Sequence, residues 1–225
     1  MTATPRHVRS GRTQAERRAT SERRLLDAAA KVIAERGTTG VSFADIAREA
    51  GCSHGLPGYL FGSKTELLLA LVDDVLREFR GTLVRPAVGD RQGLPALLRT
   101  LSVFIESLDR PYPYTRAIYV MIGEAAGAPP ELQSALNAHQ DAARQMIIDS
   151  LHEGIELGQV RPDVDTAAQA VVIFGMLRGI GLQALMGPGS VDVKAVTAVV
   201  VTTTERALAA EGWVNDEVEA MDHVD

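Results

Sequence analysis

The chain has 225 residues, of which 46% are hydrophobic, 23% charged and 4% aromatic, and its formal net charge is −6. Length and composition fit a globular protein with a sizeable core, in one large or two small domains, and exclude a disordered or collagen-like chain. Residues 167–185 come nearest to a membrane-spanning run but are interrupted by Gln169, Arg178 and Gln183. Residues 1–24 are basic without the apolar stretch of a secretory signal. The single cysteine, Cys52, excludes an internal disulfide framework and a multi-cysteine zinc site, and a cytoplasmic protein with no membrane partner is expected. The acidic total hides a split: residues 1–66 carry a net +4 and residues 67–225 a net −10. Such asymmetry fits a basic module joined to an acidic one.

Residues 1–20 show no apolar periodicity and read as a flexible basic arm. Leu25, Leu26, Ala29, Val32 and Ile33 then recur at helical spacing, with Ser21 as a cap and Gly37 as the stop, which predicts a helix over 22–36. Ser42 and Asp45 form a shortened capping box for a second, short helix whose inner face is Ile46, Ala47 and Ala50. Gly51 ends that helix, and Ser53 is placed to cap a third. Two short helices joined through a glycine turn form the pattern of a helix-turn-helix. A fourth helix is predicted from Ser63 to about Arg80-Gly81, on the stripe Leu67, Leu68, Leu71, Val72, Val75, Leu76 and Phe79.

The remainder reads as helices near 94–108, 114–126, 131–157, 164–185 and 193–211. Breaks are expected at Pro111 and Pro113, at Gly127 to Pro130, at Gly158 to Pro162 and at Gly187 to Gly189. The β-branched run 199–204 is assigned to helix because no partner strand is patterned elsewhere. The acidic end 216–225 is expected to fray. The fold class is therefore all-α. Residues 21–81 would form a helix-turn-helix unit, and residues 82–225 a larger helical domain.

Catalytic signatures are missing from the sequence: it has no nucleophile elbow, phosphate loop, dinucleotide fingerprint or HExxH zinc motif. His152 and Glu156, at i and i+4, read as an exposed intrahelical pair rather than metal ligands. Cys52 reads as a small hydrophobe. No catalytic residue, metal or cofactor is expected, and the chain is read as a non-enzyme.

Residues 41–68, VSFADIAREAGCSHGLPGYLFGSKTELL, carry the most information. With Glu35-Arg36-Gly37 before them, Ile46-Ala47, Ala50-Gly51, Ser53, Tyr59, Phe61, Ser63-Lys64 and Leu67 resemble, without a gap, the DNA-binding domain of the tetracycline-repressor (TetR) family of transcriptional regulators. The resemblance covers residues 21–81. Beyond them it is architectural, although residues 158–163, GQVRPD, look like the family's loop before its last two helices. Pro57 and Gly58 depart from the family pattern. If Ser53 capped the helix, Pro57 would crowd its carbonyl, so the recognition helix either starts late or is distorted in its first turn.

A recognition helix presents its N-terminal residues to base edges in the major groove. Here these are Ser53, His54, Gly55 and Leu56, with Tyr59 one turn on. His54 can read a purine edge and Leu56 can pack on a thymine methyl. Tyr59, Lys64 and the helix end capped by Ser42 suit phosphate oxygens, although Tyr59 could be half core and Lys64 a plain surface charge. The resemblance implies an effector cavity and a homodimer for the acidic part. Residues 167–185 are apolar nearly all round and, with 193–208, could form the seam of a two-fold four-helix bundle, the alternative being a fully buried helix of a monomer. Phe104, Tyr112, Tyr114, Tyr119, Met121, Met146, Phe174 and Met176 form stripes that by themselves fit plain core better than a pocket. With the resemblance, Phe104, Tyr112, Tyr114, Tyr119, Met146 and Phe174 become cavity candidates. Arg116 and Arg178 either orient a polar ligand group or pair with a carboxylate of a neighbouring helix.

The implied function is a dimeric, ligand-responsive repressor, released from a palindromic operator in double-stranded DNA by a small, largely apolar effector. The alternatives are a helical small-molecule-binding enzyme or carrier with an incidental helix-turn-helix corner, and a sequence-tolerant architectural DNA binder.

Overall fold

The computed structural model describes residues 13–109, 113–187 and 189–214. Among the described residues ten α-helices follow one another: α1 (Gln14–Arg36), α2 (Phe43–Ala50), α3 (Leu56–Phe61), α4 (Lys64–Glu78), α5 (Arg85–Val88), α6 (Gly93–Glu106), α7 (Pro113–Gly123), α8 (Pro130–Glu156), α9 (Thr166–Met186) and α10 (Val193–Leu208). Residues 199–204 lie within α10, as their assignment to helix requires. An isolated antiparallel bridge, Val160 to Ala209, is the β-type pairing recorded among the described residues.

The head is built by local rules. Ser42 and Asp45 close a capping box at the start of α2, and Ser63 and Glu66 close another at α4. Gly51, with φ +63°, supplies the left-handed turn after α2. α1 differs from expectation by starting at Gln14, so residues 14–20 are helical rather than part of an arm. Thr13 and Glu16 form a third capping box, and Arg18 Nε reaches Glu22 Oε1 at 2.7 Å. Arg6, Arg9 and Arg12 lie outside the described residues, as do 215–225 at the acidic end.

α4 also runs further than its stripe suggests. It passes through a π-helical segment, Phe79–Val84, into α5. Pro86 has no N–H to return to Thr82, so the ladder widens here, with the Arg85 N–H reaching Arg80 O. Pro113, expected as a break, is instead the first residue of α7, where a proline's missing N–H costs nothing.

The buried apolar residues form two cores. The first joins Leu25, Ile33, Ile46, Leu67 and Leu71 of the head to Ala117, Ile118 and Met121 of α7 and to Leu132 and Leu136 of α8. The second gathers α6, the later half of α8, α9 and α10 around Leu97, Leu101, Ile147, Leu151, Ile173 and Val200. The 158–163 loop ties this second bundle together. Gln159 Oε1 accepts from Leu94 N at 2.9 Å, Arg161 N donates to Leu208 O at 2.9 Å, and Ala210 N donates to Gln159 O at 2.9 Å.

Close backbone approach sets the α6–α8 contact. A Cβ on Gly154 would stand 2.6 Å from Val160 Cγ2 and 3.3 Å from Leu94 N. Gly154→Val should therefore lower stability by about 1–3 kcal/mol through overpacking. A urea titration should show this as a lower midpoint with an unchanged slope.

Candidate functional site

The recognition element is short and starts late. Ser53, His54 and Gly55 form a turn, Leu56 N donates to Ser53 O at 3.1 Å, and α3 begins at Leu56 with Gly55 as its cap. Ser53 therefore caps nothing by its side chain, contrary to the expectation for it. Pro57 sits at the second helical position, where no intrahelical bond is lost. Its ring is buried, and Gly58 lies against the Phe43 ring, so the departure from the family pattern serves packing within the head.

This start leaves Ser53, His54 and Gly55 exposed at the turn, with Tyr59 77% exposed one turn on. Leu56 is half-buried against the head core, and Lys64 is half-buried at the first position of α4. Ser42 accepts from Asp45 N at 3.2 Å. The Ser42 hydroxyl and amide, with Arg48, hold the Asp45 carboxyl down at about 2. α2 is locked to α1 by Arg24 Nη2 on Ala50 O at 2.6 Å and by the Lys31–Glu49 pair at 2.5 Å.

The second site is a partly open cavity of about 110 Å³ in the body, lined by α4, α6, α7, α8 and α9. Of the residues predicted from sequence, Phe104, Tyr119, Met146, Phe174 and Arg178 meet there. Phe104 and Phe79 stack edge to face, with ring centroids 5.9 Å apart. Tyr114 is placed elsewhere. It is buried where α1, α4 and α7 meet, donating to Asp27 Oδ1 at 2.7 Å and receiving Arg23 Nη2 at 3.1 Å. Burial and the bond to Asp27 push its phenol well above the ordinary tyrosine range. Arg116 lines a separate crevice, and its Nε donates to Ala34 O of α1 at 2.9 Å. Met121 is core, and Tyr112 lies outside the described residues. His152 Nε2 stands 2.9 Å from Thr166 Oγ1.

Arg178 is the cation of the cavity. Its guanidinium carbon lies 4.9 Å from the Tyr119 ring centroid and 4.8 Å from that of Phe174. The Tyr119 hydroxyl reaches the Leu177 and Arg178 carbonyls at 3.3 and 3.4 Å. No carboxylate among the described residues pairs with Arg178, which removes the ion-pair alternative within them, and its Nε has no hydrogen-bond partner there. Desolvation lowers its pKa from the ordinary arginine value. His139, which the sequence reading missed, also lines the cavity. Burial, and then the charge of Arg178, push its imidazole down to about 4, against a bond to the Val72 carbonyl that acts the other way. A spacing signal existed: His139, Ala143, Met146, Ile147 and Ser150 follow at helical intervals and line the cavity together.

A helix-turn-helix head on a helical body with a cavity is a build suited to placing one helix in a DNA major groove. Comparison with known proteins agrees along the chain. Residues 25–71 match the model of bacterial regulatory proteins of the tetR family, and residues 99–209 match that of the C-terminal part of BetI-type transcriptional repressors. The HTH-type transcriptional regulator BetI of Agrobacterium fabrum is 42% identical over 78 residues, covering 33% of this chain and 37% of that protein. The chain thus spans little more than a third of the length of that relative in alignment. A TetR-family regulator from a Rhodococcus species superposes with a TM-score of 0.72 at 25% identity, covering 84% of this chain and all of the other. A transcriptional regulator from Saccharomonospora viridis, solved in complex with choline, superposes with a TM-score of 0.67 at 22% identity, covering 86% and 100%. The chain belongs to the tetR family.

His139 gives a pH dependence of known sign. Its folded pKa of about 4 lies below the unfolded value of 6.5. As pH falls through that window, the unfolded chain gains a proton that the native chain does not, so stability declines. Urea midpoints at pH 7 and pH 5 should differ in wild type, and His139→Gln should reduce the difference. An equal drop in the variant would contradict the assignment.

Proposed function

We propose that the protein is a homodimeric, cytoplasmic repressor that binds a palindromic operator and is released by a small, largely apolar effector held in the α4–α9 cavity. The observation that carries this reading is the double engagement of α7. On one side Tyr119 and Ile118 line the cavity. On the other, Tyr114 and Arg116 hold α1, and Glu124 accepts from Thr38 N at 2.9 Å in the turn after α1. A ligand that shifts α7 therefore acts on the head through three polar contacts, and it favours one state only by its differential affinity for the two.

DNA contact is assigned to Ser42, Ser53, His54, Gly55, Leu56, Tyr59 and Lys64. The exposure of Ser53, His54, Gly55 and Tyr59 supports base and phosphate contact, whereas Leu56 would reach DNA only with the half of its surface left free. The cavity role is assigned to Phe104, Tyr119, Met146, Phe174 and Arg178.

Dimerisation is assigned to the outer faces of α9 and α10. Val171, Val172, Leu182, Met186 and Val199 are 52–80% exposed there, beside the exposed Gly175 and Gly179, which would allow close helix approach. Among the described residues α9 is also the helix long and apolar enough to cross a membrane by composition. Its inner face, however, packs Ala170, Ile173 and Leu177 into the second core, and an outer face matched by that of α10 suits a partner copy.

His54→Ala should relax preference at one base pair by about 1–3 kcal/mol, while Lys64→Ala should weaken all sequences alike and reduce the salt slope by about 1. Fluorescence anisotropy over a salt series separates the two outcomes. Val199→Glu should yield a folded monomer in sedimentation and lower palindrome affinity by about 10²-fold or more through lost avidity. A monomeric variant with wild-type operator affinity would contradict the dimer mechanism.

A further inference from the structure

The charge of the cavity restricts what it can hold. Among the described residues its lining includes no aspartate or glutamate, and its ionisable side chains are Arg178, His139 and Tyr119. Arg178 is partly buried, held by the Tyr119 and Phe174 rings and without a carboxylate partner among the described residues, so an anion reaching it would meet an unneutralised cation. The unpartnered Arg178 Nε is the direct sign of that incompleteness. The aromatic faces that could cage a quaternary ammonium, Tyr119 and Phe174, already carry Arg178 at 4.9 and 4.8 Å. Phe174 also has the Arg144 guanidinium carbon 5.9 Å from its centroid. A second cation on these rings would meet like charge.

We infer that the cavity takes a small amphipathic carboxylate, its head group bound by Arg178 and its apolar body lying among Leu101, Phe104, Ile147 and Phe174. This rests on the cavity being the effector site and adds the chemical class of the effector. Two positions of a guanidinium fork can meet a carboxylate side by side, a geometry a lysine does not reproduce. The enclosed space, on the order of an aromatic ring or a short acyl chain, sets the size of the apolar part. The neutral His139 imidazole would gain a favourable charge partner once an anion is present, which an uncharged ligand would not supply.

The test is calorimetric titration of the full-length protein with hexanoate, phenylacetate, hexanol and choline, on wild type, Arg178→Gln and Arg178→Lys, with thermal melts to establish folding. The expected result is binding of the two carboxylates at least tenfold tighter than hexanol, with no choline binding. Arg178→Gln should lose that preference while keeping the weak hexanol affinity, and Arg178→Lys should recover part of it. The His139 imidazole resonance should titrate at higher pH with hexanoate bound and stay put with hexanol. Equal binding of hexanol and hexanoate, or an Arg178→Gln variant with undiminished carboxylate preference, would overturn the head-group assignment and leave the effector cavity standing. Choline binding in place of carboxylates would reverse the charge assignment. Binding of none of the four would overturn both the carboxylate class and the cavity's role.

Discussion

The structure turns on one buried carboxylate, that of Asp74. It is 1% exposed, yet it receives Arg77 from its own helix, Arg23 from α1 at 3.0 Å and the Tyr114 hydroxyl from α7 at 3.3 Å. Arg23 in turn reaches Glu78 and Asp27 and lies over the Tyr114 ring. A charge so deeply buried is tolerated only while its partners stay in register, and stripping one partner from such a set typically costs about 3–5 kcal/mol. The network therefore fixes the relative placement of α1, α4 and α7. That placement joins the helix-turn-helix head to the body that contains the cavity.

The consequence is that the head is not an independently cored unit. Its apolar centre continues from Leu67 and Leu71 into Ala117, Ile118 and Met121 of α7 and Leu136 of α8. Packed cores of this density do not deform smoothly, so a small shift of α7 is passed on to α1 rather than absorbed. Ile118 borders the cavity and belongs to the same core that holds the head, which makes the cavity wall and the head support one continuous layer.

Much of this was legible in the sequence because its causes are local. Capping boxes at Ser42 and Ser63, the glycine after α2 and the apolar stripes of α1 and α4 all act within a few residues. The first two turns of α1 escaped periodicity because they are exposed, and are held by Thr13, Glu16 and the Arg18–Glu22 pair on a helix already nucleated downstream. The carry-through of α4 was hidden because a proline usually ends a helix, whereas here Pro86 only widens one turn. Tyr114 misled for another reason: its position beside Tyr119 suggested a shared cavity. Adjacent helical faces instead send Tyr119 to Arg178 and Tyr114 to Asp74, partners remote in sequence. Arg178 stood out in the sequence as a cation inside an apolar helix, but which of its two roles it takes depends on what neighbouring helices bring to it, and that leaves no pattern in a chain.

In the proposed homodimer, two heads would read a two-fold DNA sequence together. Selection of bound duplexes from a random library by the full-length protein tests it most directly. The account predicts enrichment of an inverted repeat whose half-site centres lie about one helical turn, ~10 base pairs, or a multiple of it apart. Enrichment of a single unsymmetrical site, or of no sequence at all, would contradict it.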